Sequence, residues 1–480
     1  MKKTKIVATI GLASESQEML RTLIQEGMNV ARLNFSHGSH EWHANVIRIV
    51  RELSAELGVS VGILADLQGP RIRTSVEGEL AIKTGDLVLV SDVAKSPDFA
   101  SISNEGISNT SKFLLDVANI VDDIEVGHEI LVEDGLIKII VKEKKDGTLL
   151  CETIDGGTIK NRKGVNIPDA KLRIAAITEK DQKDLEFVLR EGVDFVAMSF
   201  VGSGADVADL RGRMRAFLGE KAHLPQIVAK IERKEAIRNL DEIIEHTDAV
   251  MVARGDLGIE IEGTRVAILQ KEIIRKSIAK IKPVIVATQM LNSMIENPRP
   301  TRAEVSDVTN AVVDHADAVM LSGESASGKY PVESVRTMAE IAVNTENSPF
   351  DDVSLALETE KDGERISLAR SAFELAKVSE AKAIIMGSAS GLTARLMAHF
   401  RPEQPMYAVT DDSRTYAQLA LVWGIEPFLY EKGGVFREDV DWLIARLKEQ
   451  KKLSSGDKIV VIMGQIPGGE KMRLMGIKEV

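Results

Sequence analysis

The sequence is short of the residues that small secreted proteins depend on for stability. Its 480 residues include a single cysteine, Cys151, so no disulfide bond can form within the chain. Because Cys151 directly follows Leu149 and Leu150, we interpret it as a small buried hydrophobic side chain. The cysteine content therefore gives no indication of an oxidising compartment.

Long apolar runs and an excess of positive charge are also missing. No segment is long and apolar enough to cross a bilayer, and the apolar run near the start (residues 1–11) is too short for a signal peptide. We therefore expect a cytoplasmic protein without a membrane partner. The net charge of −12 argues against broad nucleic-acid binding, which needs a positive surface, although a local group of basic side chains can still bind an anion.

Short apolar runs rich in Val, Ile and Ala are plentiful, and the chain is too long for one ordinary core. Eight of these runs resemble parallel strands that are buried on both faces. They are Lys5–Ile10, Asn29–Phe35, Val61–Leu67, Asp194–Phe200, Gln226–Ile231, Ala249–Ala253, Pro283–Thr288 and Ala318–Leu321. Helical periodicity at 17–26, 40–57 and 179–191 lies between them. This α/β alternation predicts a (β/α)8 TIM barrel formed by residues 1–69 and 169–345.

Two further regions have a different sequence pattern. Residues 70–168 alternate in polarity between Gly-Asp and Asp-Gly turns, which predicts a small β-barrel domain inserted in a loop at the catalytic end of the barrel, where it can act as a lid. Residues 346–480 begin with a polar connection at 358–364. They then predict five strands with helices between the first four, a C-terminal open-sheet α/β domain.

Polar residues at the C-terminal ends of barrel strands are the candidates for catalysis. They are Arg32, Asn34, Ser36, Asp66, Lys230, Glu232, Arg254, Asp256, Thr288, Gln289 and Glu324. Each residue taken alone is explained equally well by an ordinary barrel salt bridge. The convergence of the whole set on one end of the barrel favours a functional site.

Lys230 and Glu232 are two residues apart on one strand and therefore share a face. Glu232 and Asp256 supply hard oxygen ligands from successive strands, a suitable pair for Mg²⁺. A lysine beside such an ion suits phosphoryl transfer, because that reaction is catalysed mainly by positioning and charge neutralisation. Residues 254–256 follow a strand and can open a short helix whose N–H groups suit a substrate carboxylate.

Several blocks of sequence, in this order, resemble the pyruvate kinase family. The motifs are NVARLNFSHG (29–38), DLQGPRIR (66–73), EDGLI (133–137), KGVNIP (163–168), AKIE (229–232), MVARGDLG (251–258), ATQMLNSM (287–294), PTRAEVSDVTNAV (300–312) and MLSGESASGKYP (320–331). The likeness covers the first 345 residues closely and the rest more loosely. It implies transfer of the phosphoryl group of phosphoenolpyruvate to ADP, a homotetramer, and regulation by a phosphorylated allosteric effector.

The resemblance also implies roles for individual residues. Lys230 and Arg32 would hold the phosphoryl group, and Glu232 and Asp256 would hold Mg²⁺, with Mn²⁺ as an alternative. Backbone N–H groups of Gly255 and Asp256 would contact the substrate carboxylate. Thr288 would help to bind that carboxylate and would belong to the relay that protonates the enolate.

The nucleotide would be bound in part by the lid. The resemblance places Arg73 and Lys163 near the nucleotide phosphates, and His37 and Asn34 near the nucleotide. A lone histidine such as His37 is also compatible with an ordinary hydrogen-bonded polar residue.

One motif departs from the family pattern. Many members bind K⁺ through side chains matching Asn34, Ser36 and Asp66 and a carbonyl matching that of Leu67, and they read D-T-K-G-P-E-I-R. This chain has Arg71 where those members have Glu. A fixed guanidinium could supply the positive charge that K⁺ otherwise provides, so we expect K⁺ not to be required.

The C-terminal domain offers one candidate effector site. Small and hydroxyl-bearing residues join a strand to a helix, in a pattern that suits a phosphate. They are Ser388, Ser390, Gly391 and Thr393. An ordinary strand-to-helix turn explains the same residues equally well. A second effector loop would lie at 464–471, which lacks a clear Ser or Thr pattern.

Two other functions remain open from sequence. A Mg²⁺-dependent carbon–carbon lyase on the same barrel would share the carboxylates and an arginine, but it would not need the lid, Lys230 or the C-terminal domain. A non-enzymatic relative that only binds a metabolite is disfavoured by the presence of Lys230, Glu232, Asp256 and Thr288. An assay of ADP-dependent pyruvate formation separates the three.

Overall fold

The structure, a computed structural model, describes residues 2–96, 111–351, 363–430, 436–463 and 474–480. The expected second effector loop at 464–471 and most of the polar connection at 358–364 lie outside these residues. In the part of the chain that the structure covers, no helix combines the length and the apolarity needed to cross a membrane.

Eight parallel strands close into a barrel, as the sequence predicts. They are β1 (Lys5–Thr9), β2 (Val30–Asn34), β3 (Gly62–Asp66), β13 (Phe195–Met198), β14 (Gln226–Ile231), β15 (Ala249–Ala253), β16 (Val284–Ala287) and β17 (Ala318–Leu321). Strand β17 pairs with β1 and closes the ring, and β3 pairs with β13 across the insertion.

Helices surround this barrel. They are α1 (Gln17–Gln25), α2 (His40–Leu57), α3 (Glu179–Arg190), α4 (Gly204–Leu218), α5 (Lys234–Arg238), α6 (Leu240–His246), α7 (Arg254–Glu260), α8 (Val266–Ala279), α9 (Arg302–Val313), α10 (Gly323–Ala326) and α11 (Pro331–Glu346). Sequence-coded caps fix many of their ends. Ser39 accepts a hydrogen bond from Trp42 N at the start of α2, and Gly58 ends that helix with a φ of 62°. Helices α3, α4 and α9 begin with complete capping boxes.

The barrel interior is apolar through most of its depth. Every second residue of a strand points inward, and these positions carry packed side chains such as Val7, Val30, Leu64 and Phe195. The cluster also contains Ala420 and Leu421, which belong to the C-terminal part of the chain. The N-terminal end of the barrel is therefore covered by a segment that is distant in sequence.

The insertion after β3 forms a second, smaller barrel. Its strands are β4 (Ile72–Ser75), β5 (Glu79–Ile82), β6 (Leu87–Asp92), β7 (Ser111–Leu115), β8 (Glu129–Val132), β9 (Ile137–Lys145), β10 (Thr148–Asp155), β11 (Gly157–Lys160) and β12 (Gly164–Asn166). Seven of them close a barrel, while β5 and β11 pair separately. We call this barrel the lid. Cys151 lies inside its core, as expected, and burial raises the pKa of its thiol to about 12.

The C-terminal region is an open sheet with helices, again as predicted. Its strands are β18 (Ala383–Gly387), β19 (Met406–Thr410), β20 (Ile425–Leu429), β21 (Lys458–Met463) and β22 (Leu474–Glu479), and its helices are α12 (Gly363–Val378), α13 (Leu392–His399), α14 (Ser413–Gln418) and α15 (Phe436–Glu449). The order of strands is β20-β19-β18-β21-β22, with β22 antiparallel. Strand β20 contains Pro427, which it tolerates because it lies at the edge of the sheet.

We predict that the Phe195→Ala substitution strongly destabilises the barrel. Phe195 is fully buried in the interior cluster, so its loss leaves a cavity and should lower the free energy of unfolding by about 3–5 kcal/mol. Phe217→Ala is the control, because Phe217 on α4 is 41% exposed and its loss should cost less than about 0.5 kcal/mol. Urea unfolding measures both; equal effects would show that Phe195 does not fill the barrel.

Candidate active site

The C-terminal mouth of the barrel is polar on one side. The inward-facing positions that carry apolar residues lower in the barrel carry polar residues at the top of five neighbouring strands. These residues are Thr9, Arg32, Asp66, Ser199 and Lys230. All five are buried, so the mouth is a charged cluster inside the protein, as strand-end reasoning predicted for Arg32, Asp66 and Lys230.

Lys230 lies at the centre of this cluster. Its Nζ is 2.7 Å from Glu232 Oε1 and 3.4 Å from Asp66 Oδ1, and it donates a hydrogen bond of 2.8 Å to Ser199 Oγ. Burial alone would lower the pKa of Lys230, but the charges of Asp66 and Glu232 outweigh burial and raise it. The ammonium group is therefore a fixed positive charge.

Arg32 and Asp66 form the neighbouring pair. Two guanidinium nitrogens of Arg32 lie 2.7 and 2.8 Å from Asp66 Oδ2, and a third donates to Thr9 Oγ1 at 2.8 Å. Burial opposes ionisation of Asp66, yet the positive charges of Lys230 and Arg32 hold the pKa of Asp66 below its usual range. The carboxylate therefore orients both cations toward the mouth.

In contrast to Asp66, Glu232 has a pKa above its usual range. Burial raises the pKa of Glu232, the charge of Lys230 offsets this only in part, and the charge of Asp256 raises the pKa further. Glu232 Oε2 also accepts a hydrogen bond of 2.7 Å from Phe200 N. Two carboxylates that repel each other in a buried site are suited to share a divalent cation.

The number of carboxylate ligands here suits Mg²⁺ rather than a metal that is coordinated entirely by protein side chains. Within the described ranges, no group of three or more His, Cys, Asp or Glu side chains is placed to hold a metal ion. Mg²⁺ typically binds one or two carboxylates and takes its remaining ligands from substrate and water. The pair Glu232 and Asp256 meets that requirement.

A strained backbone positions Thr288. Thr288 and Gln289 directly follow β16 with φ values of 68° and 54°, a conformation that β-branched residues rarely adopt. The Thr288 hydroxyl donates to Ala287 O at 2.6 Å and accepts a hydrogen bond of 2.7 Å from Gly255 N. A substrate carboxylate that uses the Gly255 N–H must therefore replace or share the contact with Thr288.

Two strand-end candidates have structural partners instead. Arg254 pairs with Asp307 at 2.7 Å and donates to Thr288 O at 2.8 Å, so it supports the strained residue from outside the cluster. Glu324 is buried and accepts hydrogen bonds from the backbone N–H groups of Leu291 and Ser322. Strand position alone does not separate these two from the residues of the mouth.

Comparisons with known proteins identify the family of this chain. A family model described as "Pyruvate kinase, barrel domain" matches residues 1–335, and one described as "Pyruvate kinase, alpha/beta domain" matches residues 367–473. The chain belongs to the pyruvate kinase family. Its reaction is the transfer of the phosphoryl group of phosphoenolpyruvate to ADP, which gives pyruvate and ATP at the final ATP-forming step of glycolysis. The carbon–carbon lyase alternative is excluded.

Individual relatives support the assignment over nearly the whole chain. The pyruvate kinase of Staphylococcus epidermidis is 43% identical over 481 residues, covering 98% of this chain and 79% of the relative. That of Geobacillus stearothermophilus is 42% identical over 475 residues, with 98% and 78% covered. A crystal structure of a pyruvate kinase from Cryptosporidium parvum is 33% identical, has a TM-score of 0.90, and is matched over 100% of this chain and 96% of that chain.

The expected nucleotide residues belong to two domains, with Arg73 and Lys163 in the lid and His37 and Asn34 in the barrel. Arg73 on β4 pairs in register with Gly164, which places Arg73 and Lys163 on adjacent strand ends of the lid. Lys163 is 2.5 Å from Glu133, and Arg73 donates to Arg162 O at 3.0 Å. His37 is exposed, and its carbonyl bonds to the ring of His43. Neither lid cation contacts the Lys230 cluster.

Two residues of the expected monovalent-cation site, Asn34 and Leu67, have internal partners. Asn34 Oδ1 accepts from Ser36 N at 3.1 Å, and Leu67 O accepts from Ser199 Oγ at 2.8 Å. Arg71 is exposed and lines the cleft that Asp256 also lines. No hydrogen bond or ion pair to another described residue fixes its guanidinium.

The candidate effector residues form a strand-to-helix turn after β18. Gly391 caps α13 with a φ of 74°, Ser388 is buried, and Ser390 is exposed. Thr393 lies in the first turn of the helix. The turn has the geometry that was expected, while its use as an effector site stays a prediction.

Ser199 and Thr9 are parts of the site that the sequence reading missed. Ser199 follows β13 and contacts Lys230, and Thr9 ends β1 and contacts Arg32. Both occupy the strand-end position that identified the other residues. Strand position was therefore the signal that could have identified these two hydroxyl groups.

We predict that Thr288→Val destabilises the protein while Thr288→Ser does not. Valine keeps the branched shape but removes the acceptor for Gly255 N, which should cost about 1–3 kcal/mol in the free energy of unfolding. Serine keeps the hydroxyl. Chemical unfolding of the two variants tests this, and similar losses for both would show that the hydrogen bond does not matter.

Proposed function

We propose that Lys230, Arg32, Glu232, Asp256 and Thr288 carry out the phosphoryl transfer of this pyruvate kinase. The observation that carries the proposal is the position of the Lys230 ammonium between two buried carboxylates, beside the Glu232–Asp256 pair. Two cations and three carboxylates converge there, so the cluster has a formal charge of −1. A divalent ion would make it positive and suited to a phosphorylated anion.

Binding of phosphoenolpyruvate would use the cations of the mouth. Arg32 and Lys230 would bind the equatorial phosphoryl oxygens, and backbone N–H groups of Gly255 and Asp256 would bind the carboxylate, aided by Thr288. Glu232 and Asp256 would hold Mg²⁺, or Mn²⁺ in its place. The bound ion would neutralise charge on the phosphoryl and enolate oxygens.

The reaction would balance as follows. The bond between phosphorus and the enol oxygen breaks as a bond to a terminal phosphate oxygen of ADP forms, and Lys230 stabilises the charge on the transferring group. The electrons left on the enolate then take a proton at C3, delivered through the relay that includes the Thr288 hydroxyl. Arg73 and Lys163 in the lid, with His37 and Asn34 in the barrel, would bind the nucleotide.

We also propose the domain boundaries, oligomeric state, cellular location and regulation that the family resemblance implies. Residues 1–69 and 169–345 would form the catalytic domain, 70–168 the lid, and 346–480 an effector and oligomerisation domain. The effector turn would consist of Ser388, Ser390, Gly391 and Thr393. The protein would work as a homotetramer in the cytoplasm, under control of a phosphorylated effector.

Lys230→Met should abolish activity in a coupled assay of ADP-dependent pyruvate formation. Loss of the fixed charge should lower kcat by at least about a thousandfold. Lys280→Met is the matched control, because Lys280 follows α8 on the surface with its side chain 54% exposed. Circular dichroism would establish that both variants fold. Activity near that of the wild type in Lys230→Met would refute the assignment.

We further propose that Arg71 makes K⁺ unnecessary. Oxygens of Asn34 and Leu67 at the expected K⁺ site already accept hydrogen bonds, and Arg71 lies in the cleft with a free guanidinium, as far as the described residues go. The wild-type rate should stay within about twofold when tetramethylammonium replaces all K⁺. Arg71→Glu should lose about tenfold under the same conditions and recover with K⁺, whereas Arg71→Lys should behave as wild type. A collapse of the wild-type rate without K⁺ would contradict the proposal.

A further inference from the structure

A second cavity lies at the opposite end of the barrel from the catalytic mouth. Its volume is about 460 Å³, within the range of about 300–1,000 Å³ that is typical of small-molecule sites. Helix α2 and the start of β13 form one wall, and α14 of the C-terminal domain forms the other. Any occupant would therefore touch both domains.

One wall of the cavity carries a satisfied ion pair. Arg51 Nη2 on α2 donates to Asp194 Oδ1 and to Gly192 O, both at 3.0 Å, and lies 2.9 Å from Asp194 Oδ2. Asp194 also accepts from Ile63 N at 2.7 Å. The Asp194 side chain therefore makes its hydrogen bonds to the barrel domain rather than across the cavity.

The facing wall carries a second guanidinium that lacks such a partner. Arg414 on α14 lines the same cavity, and its Nη1 is buried without a hydrogen-bond acceptor among the residues that the structure describes. Burial lowers the pKa of Arg414, and the charges of Asp194 and Asp412 only partly compensate. Arg414 thus has two carboxylates nearby but a buried nitrogen without an acceptor, and a buried donor of this kind normally has a ligand or ion.

The rest of the lining is suited to an apolar body. Val61 and Ala417 are buried at its edges, and the half-buried ring of Tyr416 lies beside them. Burial raises the pKa of Tyr416 to about 12, with the charge of Glu426 adding to the effect, so its hydroxyl is a neutral donor. The cavity therefore combines apolar surface with a guanidinium nitrogen that has no acceptor among the described residues.

We propose that this cavity binds a small organic anion that bridges the barrel and the C-terminal domain. The head group, a carboxylate or a phosphate monoester, would accept hydrogen bonds from Arg414, and the body would pack against Tyr416 and Val61. The site is separate from the catalytic mouth and from the turn at Ser388–Thr393. It does not depend on the roles proposed for the catalytic residues.

Isothermal titration of the full-length chain with benzoate and with phenyl phosphate tests this proposal. These probes share a compact apolar ring and differ in head group, so the tighter one identifies the class. At least one should bind to wild type and to Lys230→Met alike, because the catalytic mouth is not involved. Arg414→Gln should weaken binding by at least about tenfold, equivalent to about 1.4 kcal/mol.

Two further variants keep the test decisive. Arg446→Gln on α15 is the matched control, since Arg446 is 51% exposed and distant from the cavity lining, and it should bind as wild type. Ser413→Glu places a negative charge at the exposed rim and should weaken binding even if Arg414→Gln does not fold. Absence of binding by both probes, or binding unchanged by Arg414→Gln and Ser413→Glu, would overturn the proposal.

Discussion

The charge of Lys230, held between Asp66 and Glu232, is the interaction on which the site depends. Each of these charges would be costly to bury alone, and their mutual attraction offsets part of that cost. Arg32 shares Asp66 with Lys230, so both cations are oriented by one carboxylate. The barrel makes this possible because neighbouring parallel strands end side by side. Their last inward-pointing residues therefore lie close together at the C-terminal end of the barrel.

Backbone strain is concentrated around the same mouth. Phe200, Thr288 and Gln289 all have positive φ values directly after barrel strands. The turn at Phe200 directs its N–H to Glu232, and the turn at Thr288 directs a hydroxyl to Gly255. Arg254 holds the carbonyl of Thr288 from the side, which helps to maintain an unfavourable conformation. Regular strands bring the residues close, and irregular turns orient them.

The sequence predicted the parts of the fold that have strong local periodicity. All eight barrel strands, the insertion and the five strands of the open sheet were found, because buried strands are continuous apolar runs. Short lid strands such as β11 and β12 were not, since their pairing depends on distant partners. The same limit applies to the site. Strand position identified Lys230 and Glu232, but it could not show that Arg254 turns toward Asp307.

The contribution of Ala420 and Leu421 to the barrel interior has a consequence for synthesis. A ribosome produces the eight strands first, yet the floor of the barrel and the carbonyl of Ile425 that receives the Lys5 ammonium come about a hundred residues after the last strand. Until that segment is synthesised, the apolar N-terminal end of the nascent barrel stays exposed to solvent. Chaperone dependence during translation would be greatest in that interval, and it would end when the C-terminal segment docks.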